Sequence, residues 1–94
     1  MFDTRLILKN SIESINKLLR DSLKIEFLEI IDESAKHAGH GAMLYSTETL
    51  THIWVRISAA ELTKMSRVEQ HRKLYAILQS AFDNGLHAIR FEIL

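Results

Sequence analysis

Five histidines and no cysteine set the chemistry open to this 94-residue chain. Neutral imidazoles ligate zinc, copper, nickel and iron. Without cysteine the chain has no thiol nucleophile and cannot hold a thiolate-ligated metal or cluster by itself. His37 and His40 are flanked by Gly39 and Gly41, whose backbone freedom would let two rings converge. His52 follows a little later, and His87 lies just beyond Asn84-Gly85, where a helix stop gives way to alternating residues. A zinc site normally draws on three or four converging ligands. His37, His40 and His87 therefore form a candidate metal set only if folding brings them together. The plainer alternative is two solvated loop imidazoles and a strand-edge histidine whose ring satisfies nearby carbonyls.

His71 belongs to a different pattern. Lys64, Arg67, Arg72 and Lys73 outnumber Glu61 and Glu69 around it, and the first turn of a helix already favours anions. That region is a candidate phosphate or nucleic-acid surface, against the ordinary reading of a solvated helix face. Enzyme signatures are missing: there is no phosphate-cradling Gly-rich loop, no Gly-x-Ser-x-Gly elbow and no His-Glu-x-x-His helix. Asp32 and Glu33 are adjacent, so an extended chain sends them to opposite sides and they make a poor acid–base pair.

The elements that must position these residues can be read from periodicity. Leu8, Ile12, Ile15 and Leu19 predict a helix over 4–22 with Asp3 or Thr4 as its N-cap. Residues 24–31 are short, apolar and β-branched and predict a strand. Residues 51–58 predict a second, with Ile53, Val55 and Ile57 inward and His52, Trp54, Arg56 and Ser58 on the other face. Between them runs a 19-residue connection from Asp32 to Leu50, long enough to suggest function. One helical turn fits within 59–65. Ser66 and Glu69 then have capping-box spacing, and a stripe of Val68, Leu74, Tyr75, Leu78, Ala81 and Phe82 carries a helix to Asn84-Gly85. From Leu86 a third strand alternates, with His87, Ile89, Phe91 and Ile93 on one face and Ala88, Arg90 and Glu92 on the other. The expected fold is a single α+β domain over residues 1–94. Its order is helix, strand, strand, short helix, helix, strand. A three-stranded mixed sheet, with an antiparallel hairpin and a parallel third strand, carries its helices on one face.

Composition narrows the function classes. Twelve basic and twelve acidic side chains cancel, which weakens the case for strong non-specific attraction to nucleic acid. No stretch approaches the roughly 20 apolar residues of a membrane span, and no signal-peptide core is evident. No membrane partner is expected, and the cytoplasm is the default compartment.

Taken in series, the residues resemble the BolA family. The match runs through Asp32-Glu33-Ser34, His37 to His40, Thr51-His52, Gln70-His71-Arg72 with Tyr75, and Leu86-His87-Ala88. It covers residues 8–90 at nearly the family's spacing. Gln70 stands where the family usually has arginine. Leu62 and Lys64 replace its usual aromatic and glycine, and the long loop lacks the proline of many relatives.

The resemblance implies a class II KH-like fold and a non-enzymatic adaptor that binds a monothiol glutaredoxin. The two would share a [2Fe–2S] cluster whose sulfur ligands come from the glutaredoxin and glutathione. By position His87 would be one ligand, with a second from the loop, His37 or His40, and His52 ranked behind them. No cofactor is expected in the isolated chain, where a homodimer is an open alternative. The resemblance also implies a second role, as a DNA-binding transcriptional regulator, through Lys64, Arg67, His71, Arg72 and Lys73. A third reading is a zinc module built on His37, His40 and His87.

Overall fold

A computed structural model describes residues 10–34 and 50–94. In chain order these form α1 (Ile12–Ser22), β1 (Ile25–Asp32), β2 (His52–Ala59), α2 (Ala60–Thr63), α3 (Arg67–Ile77), α4 (Gln79–Asp83) and β3 (Ala88–Ile93). The sheet order is β1-β2-β3. β1 pairs antiparallel with β2 and β3 pairs parallel to it, the mixed three-stranded α+β arrangement expected from the pattern. A parallel neighbour needs a crossover, and α2 to α4 supply it.

β2 is the central strand, and its alternation is complete: Ile53, Val55, Ile57 and Ala59 are buried while the intervening residues are half-buried. Ile15 and Leu19 of α1, Leu62 of α2, Leu74 of α3, then Leu78 and Ala81 close over that face to form one core. β1 sends Leu28 and Ile30 to the same face, opposite Ile57 and Val55. A register shift between Ile25 and Phe27 interrupts its pairing, and Phe27 is left exposed.

Two helix boundaries differ from the sequence pattern. The N-cap of α1 is Ser11, not Asp3 or Thr4. Ser11 Oγ accepts the Ser14 N–H at 3.0 Å and Ser14 Oγ accepts the Ser11 N–H at 2.8 Å. This reciprocal cap fixes the start at Ile12, although the apolar spacing continues back to Leu8; positions 1–9 lie outside the described residues. Just ahead of the cap, buried Asn10 donates its side-chain amide to the Ala81 carbonyl at 2.8 Å. The second difference is a break in the long helix at Leu78, whose φ of −97° and ψ of 13° separate α3 from α4. Neither Pro nor Gly lies there. Val68 and Tyr75, placed on the apolar stripe by spacing, are exposed.

The end of α4 sets the start of β3. The Leu86 N–H reaches back to the Ala81 carbonyl at 3.0 Å and the Gly85 N–H to Phe82 at 3.2 Å, the two bonds of a Schellman cap. Gly85 carries the positive φ of 108° that this turn requires, and Leu86 is buried beneath it. Replacing Gly85 with Ala should therefore lower stability by about 1–2 kcal/mol, since a Cβ resists that backbone region. Urea denaturation with an unchanged slope would show it.

Candidate functional site

The site lies at the ends of the three strands and begins with one hydroxyl. Asp32 Oδ1 accepts the Ser34 N–H at 2.8 Å, turning the chain as it leaves β1. Ser34 Oγ then accepts the Thr51 N–H at 2.9 Å and the His52 N–H at 3.2 Å. The Glu33 N–H donates to the His52 carbonyl at 2.8 Å. On the opposite side the Thr51 carbonyl accepts two amides, His87 N–H at 2.8 Å and Ala88 N–H at 3.2 Å. The start of β2 is thus tied to the end of β1 and to the start of β3, with backbone polarity satisfied as burial demands.

This arrangement brings two of the candidate histidines together. His52 pairs in register with Ala88, and its ring stacks on that of His87 with centroids 6.0 Å apart and planes 12° from parallel. The Nδ1 of His52 lies 2.9 Å from Thr51 Oγ1. Alternation assigns His87 to the core-facing side with Ile89 and Phe91. The structure instead begins β3 at Ala88 and leaves His87 exposed, its ring against His52. The reason is local: the alternation belongs to paired residues, and His87 is still in the turn from the helix cap. Its amide, rather than its ring, is what satisfies the Thr51 carbonyl. An open cleft beside the pair is lined by Glu33, His52, Ala88 and Arg90.

His37 and His40 lie outside the described residues. Among the described residues, no three His, Asp or Glu side chains converge as a metal-holding group. The candidates read from sequence include neither Ser34 nor Thr51, although a Ser two residues after an Asp at a strand end is an Asx-turn signal.

The outer face of the sheet, opposite the helices, is a charged ladder. Arg56 reaches Glu29 at 2.8 Å and Glu92 at 3.3 Å, spanning all three strands. These pairs, the Glu29 hydrogen bond first, raise the Arg56 pKa above its ordinary value. Arg90 lies 4.1 Å above the Trp54 ring and 2.9 Å from Glu33. Exposed pairs of this kind contribute little stability singly, but they order the face next to His52.

The basic region forms a second surface. Arg67 opens α3, and Lys64, Arg67, His71 and Arg72 are exposed while Lys73 is half-buried. The edge of the His71 ring meets Phe91 at 5.7 Å. Two of the amides there are engaged in a capping box: Ser66 Oγ accepts the Glu69 N–H at 3.2 Å and the Glu69 carboxylate accepts the Ser66 N–H at 3.0 Å.

With this geometry in place, the comparisons decide the family. The family described as "BolA-like protein" matches residues 19–94. The chain belongs to the BolA family. It is 38% identical over 79 residues to "UV-induced protein uvi31" of Schizosaccharomyces pombe, covering 83% of this chain and 78% of that protein. "Protein BOLA1, chloroplastic" of Arabidopsis thaliana is 34% identical over 82 residues, 87% of this chain and 51% of that longer protein. The solved structure of BolA1 from Arabidopsis thaliana superposes with a TM-score of 0.78 at 32% identity, over 92% of each chain. The BolA domain of SufE1 from the same plant gives 0.73 at 32% identity over 86% of each. The BolA fold read from the motif series therefore holds.

His87→Ala should leave denaturation within about 0.5 kcal/mol of the parent, because an exposed side chain is removed while its amide bond to Thr51 stays. The same substitution should move the His52 ring resonances in NMR spectra. Glu69 is held below the ordinary glutamate pKa by hydrogen bonds from the Ser66 backbone and side chain. A depressed carboxylate contributes stability above its unfolded value and loses it as pH falls through the lowered one. An NMR titration should find Glu69 below the ordinary value, and Ser66→Ala, which keeps the backbone N–H bond and removes the hydroxyl, should raise it only part of the way back.

Proposed function

We propose that this BolA protein is a non-catalytic adaptor that joins a monothiol glutaredoxin and contributes imidazole ligands to a [2Fe–2S] cluster held between them, for cluster assembly, trafficking or iron sensing. The carrying observation is the pairing of half-buried His52 with exposed His87 at the sheet end, in a chain with no cysteine.

The donor types fit such a role. A [2Fe–2S] cluster is held mainly by thiolates, and two imidazoles can replace two of them on one iron, raising the reduction potential. Two histidines cannot complete the ligand set alone, so the sulfur must come from a partner chain, with glutathione. His87 is the ligand favoured by both position and exposure. His52 stands beside it, and His37 and His40 remain the alternatives for the second position. The strand-end hydrogen bonds do what a ligand site needs of a protein: they hold two side chains from distant parts of the chain at a fixed separation.

A nucleic-acid role is placed second. It rests on exposed Lys64, Arg67 and Arg72 at the start of α3, with His71 beside them. Weighing against it, the Ser66 and Glu69 amides at the helix N-terminus are already bonded within the capping box, and the chain carries no net charge.

The deciding experiment mixes the protein anaerobically with a monothiol glutaredoxin carrying its cluster, and records visible absorption and circular dichroism. A changed spectrum and a heterodimer on size exclusion are expected, and His87→Ala should abolish the spectral change. A spectrum identical with and without this protein would sink the adaptor reading, and an undiminished change with His87→Ala would sink the ligand assignment.

A further inference from the structure

β3 lies at one edge of the sheet, and that edge is complementary to itself. The Thr51 carbonyl accepts the Ala88 N–H and the Ile57 carbonyl accepts the Leu94 N–H. Backbone groups alternate sides along a strand, so Ala88, Arg90 and Glu92 turn theirs toward β2, while Ile89, Phe91 and Ile93 turn theirs away. Among the described residues no hydrogen bond reaches those outward groups. Edges of this kind pair with other chains unless a proline or a bulge blunts them. The chain has no proline, and the register of β3 on β2 runs unbroken from Ala88 to Ile93.

We propose that the β3 edge is a homodimer interface, at which two copies of this chain pair antiparallel about a two-fold axis at Phe91 and join their three-stranded sheets into one. Hydrogen bonding and charge select the register together. Only residues with outward groups can exchange backbone bonds across the axis, so Ile89, Phe91 and Ile93 must meet one another. An axis at Arg90 would set arginine against arginine, and an axis at Glu92 would set glutamate against glutamate. An axis at Phe91 sets Arg90 against Glu92 of the other copy at both symmetry-related positions. Those are non-hydrogen-bonded positions, where facing side chains lie closest. On the helix side the same axis brings Phe91 onto Phe91 and Ile89 onto Ile93. Axes nearer either end of β3 leave fewer residues paired.

The charges already have partners within the chain: Arg90 reaches Glu33 at 2.9 Å and Arg56 reaches Glu92 at 3.3 Å. Exposed pairs attract weakly, so their effect on the interface is to exclude the neighbouring registers, where like charges face each other. The apolar contribution comes from the helix side. Phe91 is half-buried, with the rings of His71 and Tyr75 at 5.7 and 5.8 Å, and Tyr75 is itself exposed. A second copy covers this aromatic strip, which the core of one chain leaves open. The pairing makes no use of the histidine pair and stands whether or not the adaptor reading holds.

The test is sedimentation equilibrium of the full chain from micromolar to millimolar concentration, with amide hydrogen exchange at both extremes. The mass should climb from that of one chain toward that of two. The Arg90 and Glu92 amides, bonded to β2, should be protected throughout, while those of Ile89, Phe91 and Ile93 should gain protection only at high concentration. Arg90→Glu and Glu92→Arg each set like charges opposite one another and should each weaken dimerisation about tenfold. Mixing the two variants, or exchanging both residues in one chain, should restore it. A mass that stays monomeric at every concentration overturns the proposal and leaves the edge to a strand of a different protein. A dimer whose Ile89, Phe91 and Ile93 amides exchange alike at both concentrations, or which ignores both charge reversals, overturns it in favour of another surface.

Discussion

The peptide unit between Thr51 and His52 is the point on which the sheet and the site both depend. Ser34 Oγ accepts its His52 N–H, and the Thr51 N–H just before it, from one side, and the start of β3 delivers two amides to the Thr51 carbonyl from the other. Strand ends usually fray because their outermost polar groups face water instead of a neighbour. Here the outermost groups of the central strand are occupied by both flanking segments. The rings of His52 and His87 therefore hang from a corner of the sheet that is tied on both sides.

The remainder of the architecture explains why that corner can be firm in a small domain. The core is a single layer between one face of a three-stranded sheet and the helices, and β2 supplies its most deeply buried residues. The opposite face is left to charge and aromatic contact: Arg56 crosses from Glu29 to Glu92, while Arg90 lies over Trp54 and reaches Glu33. Each such pair is weak in water. Their collective effect is directional, because each ties neighbouring strands in register on the side the hydrophobic core does not touch.

Much of this was legible in the residues, and the parts that were not share a cause. The strands, their pairing and the Schellman stop at Gly85 follow from periods of two and from the positive φ that glycine tolerates, both local properties. Apolar spacing runs back through Leu8 and so gives no sign of the α1 start, which is set by a serine pair whose role shows only as a geometry of two hydrogen bonds. The break at Leu78 has no breaker residue to announce it. Alternation puts His87 on the inner face, but the pairing that justifies alternation begins only at Ala88. The proximity of His52 to His87 depends on a parallel register between segments far apart in sequence, which no window of residues contains. Ser34 and Thr51 belong to the motif series, but hydroxyl residues are common, and only the backbone groups around them give these two a structural role.

One bond far from the histidines bears on how they come together. The Ala81 carbonyl accepts from Leu86 within the helix cap and also from Asn10, 71 positions earlier in the chain. The turn that aims His87 is thus fastened to the segment that leads into α1. An isolated hairpin carrying His52 would hold one imidazole and no means of placing the other. The pair comes into being when the first helix, the crossover and the final strand have all found one another, so its geometry carries the cooperativity of the whole domain. Apposition of the two rings is in that sense a report that folding is complete.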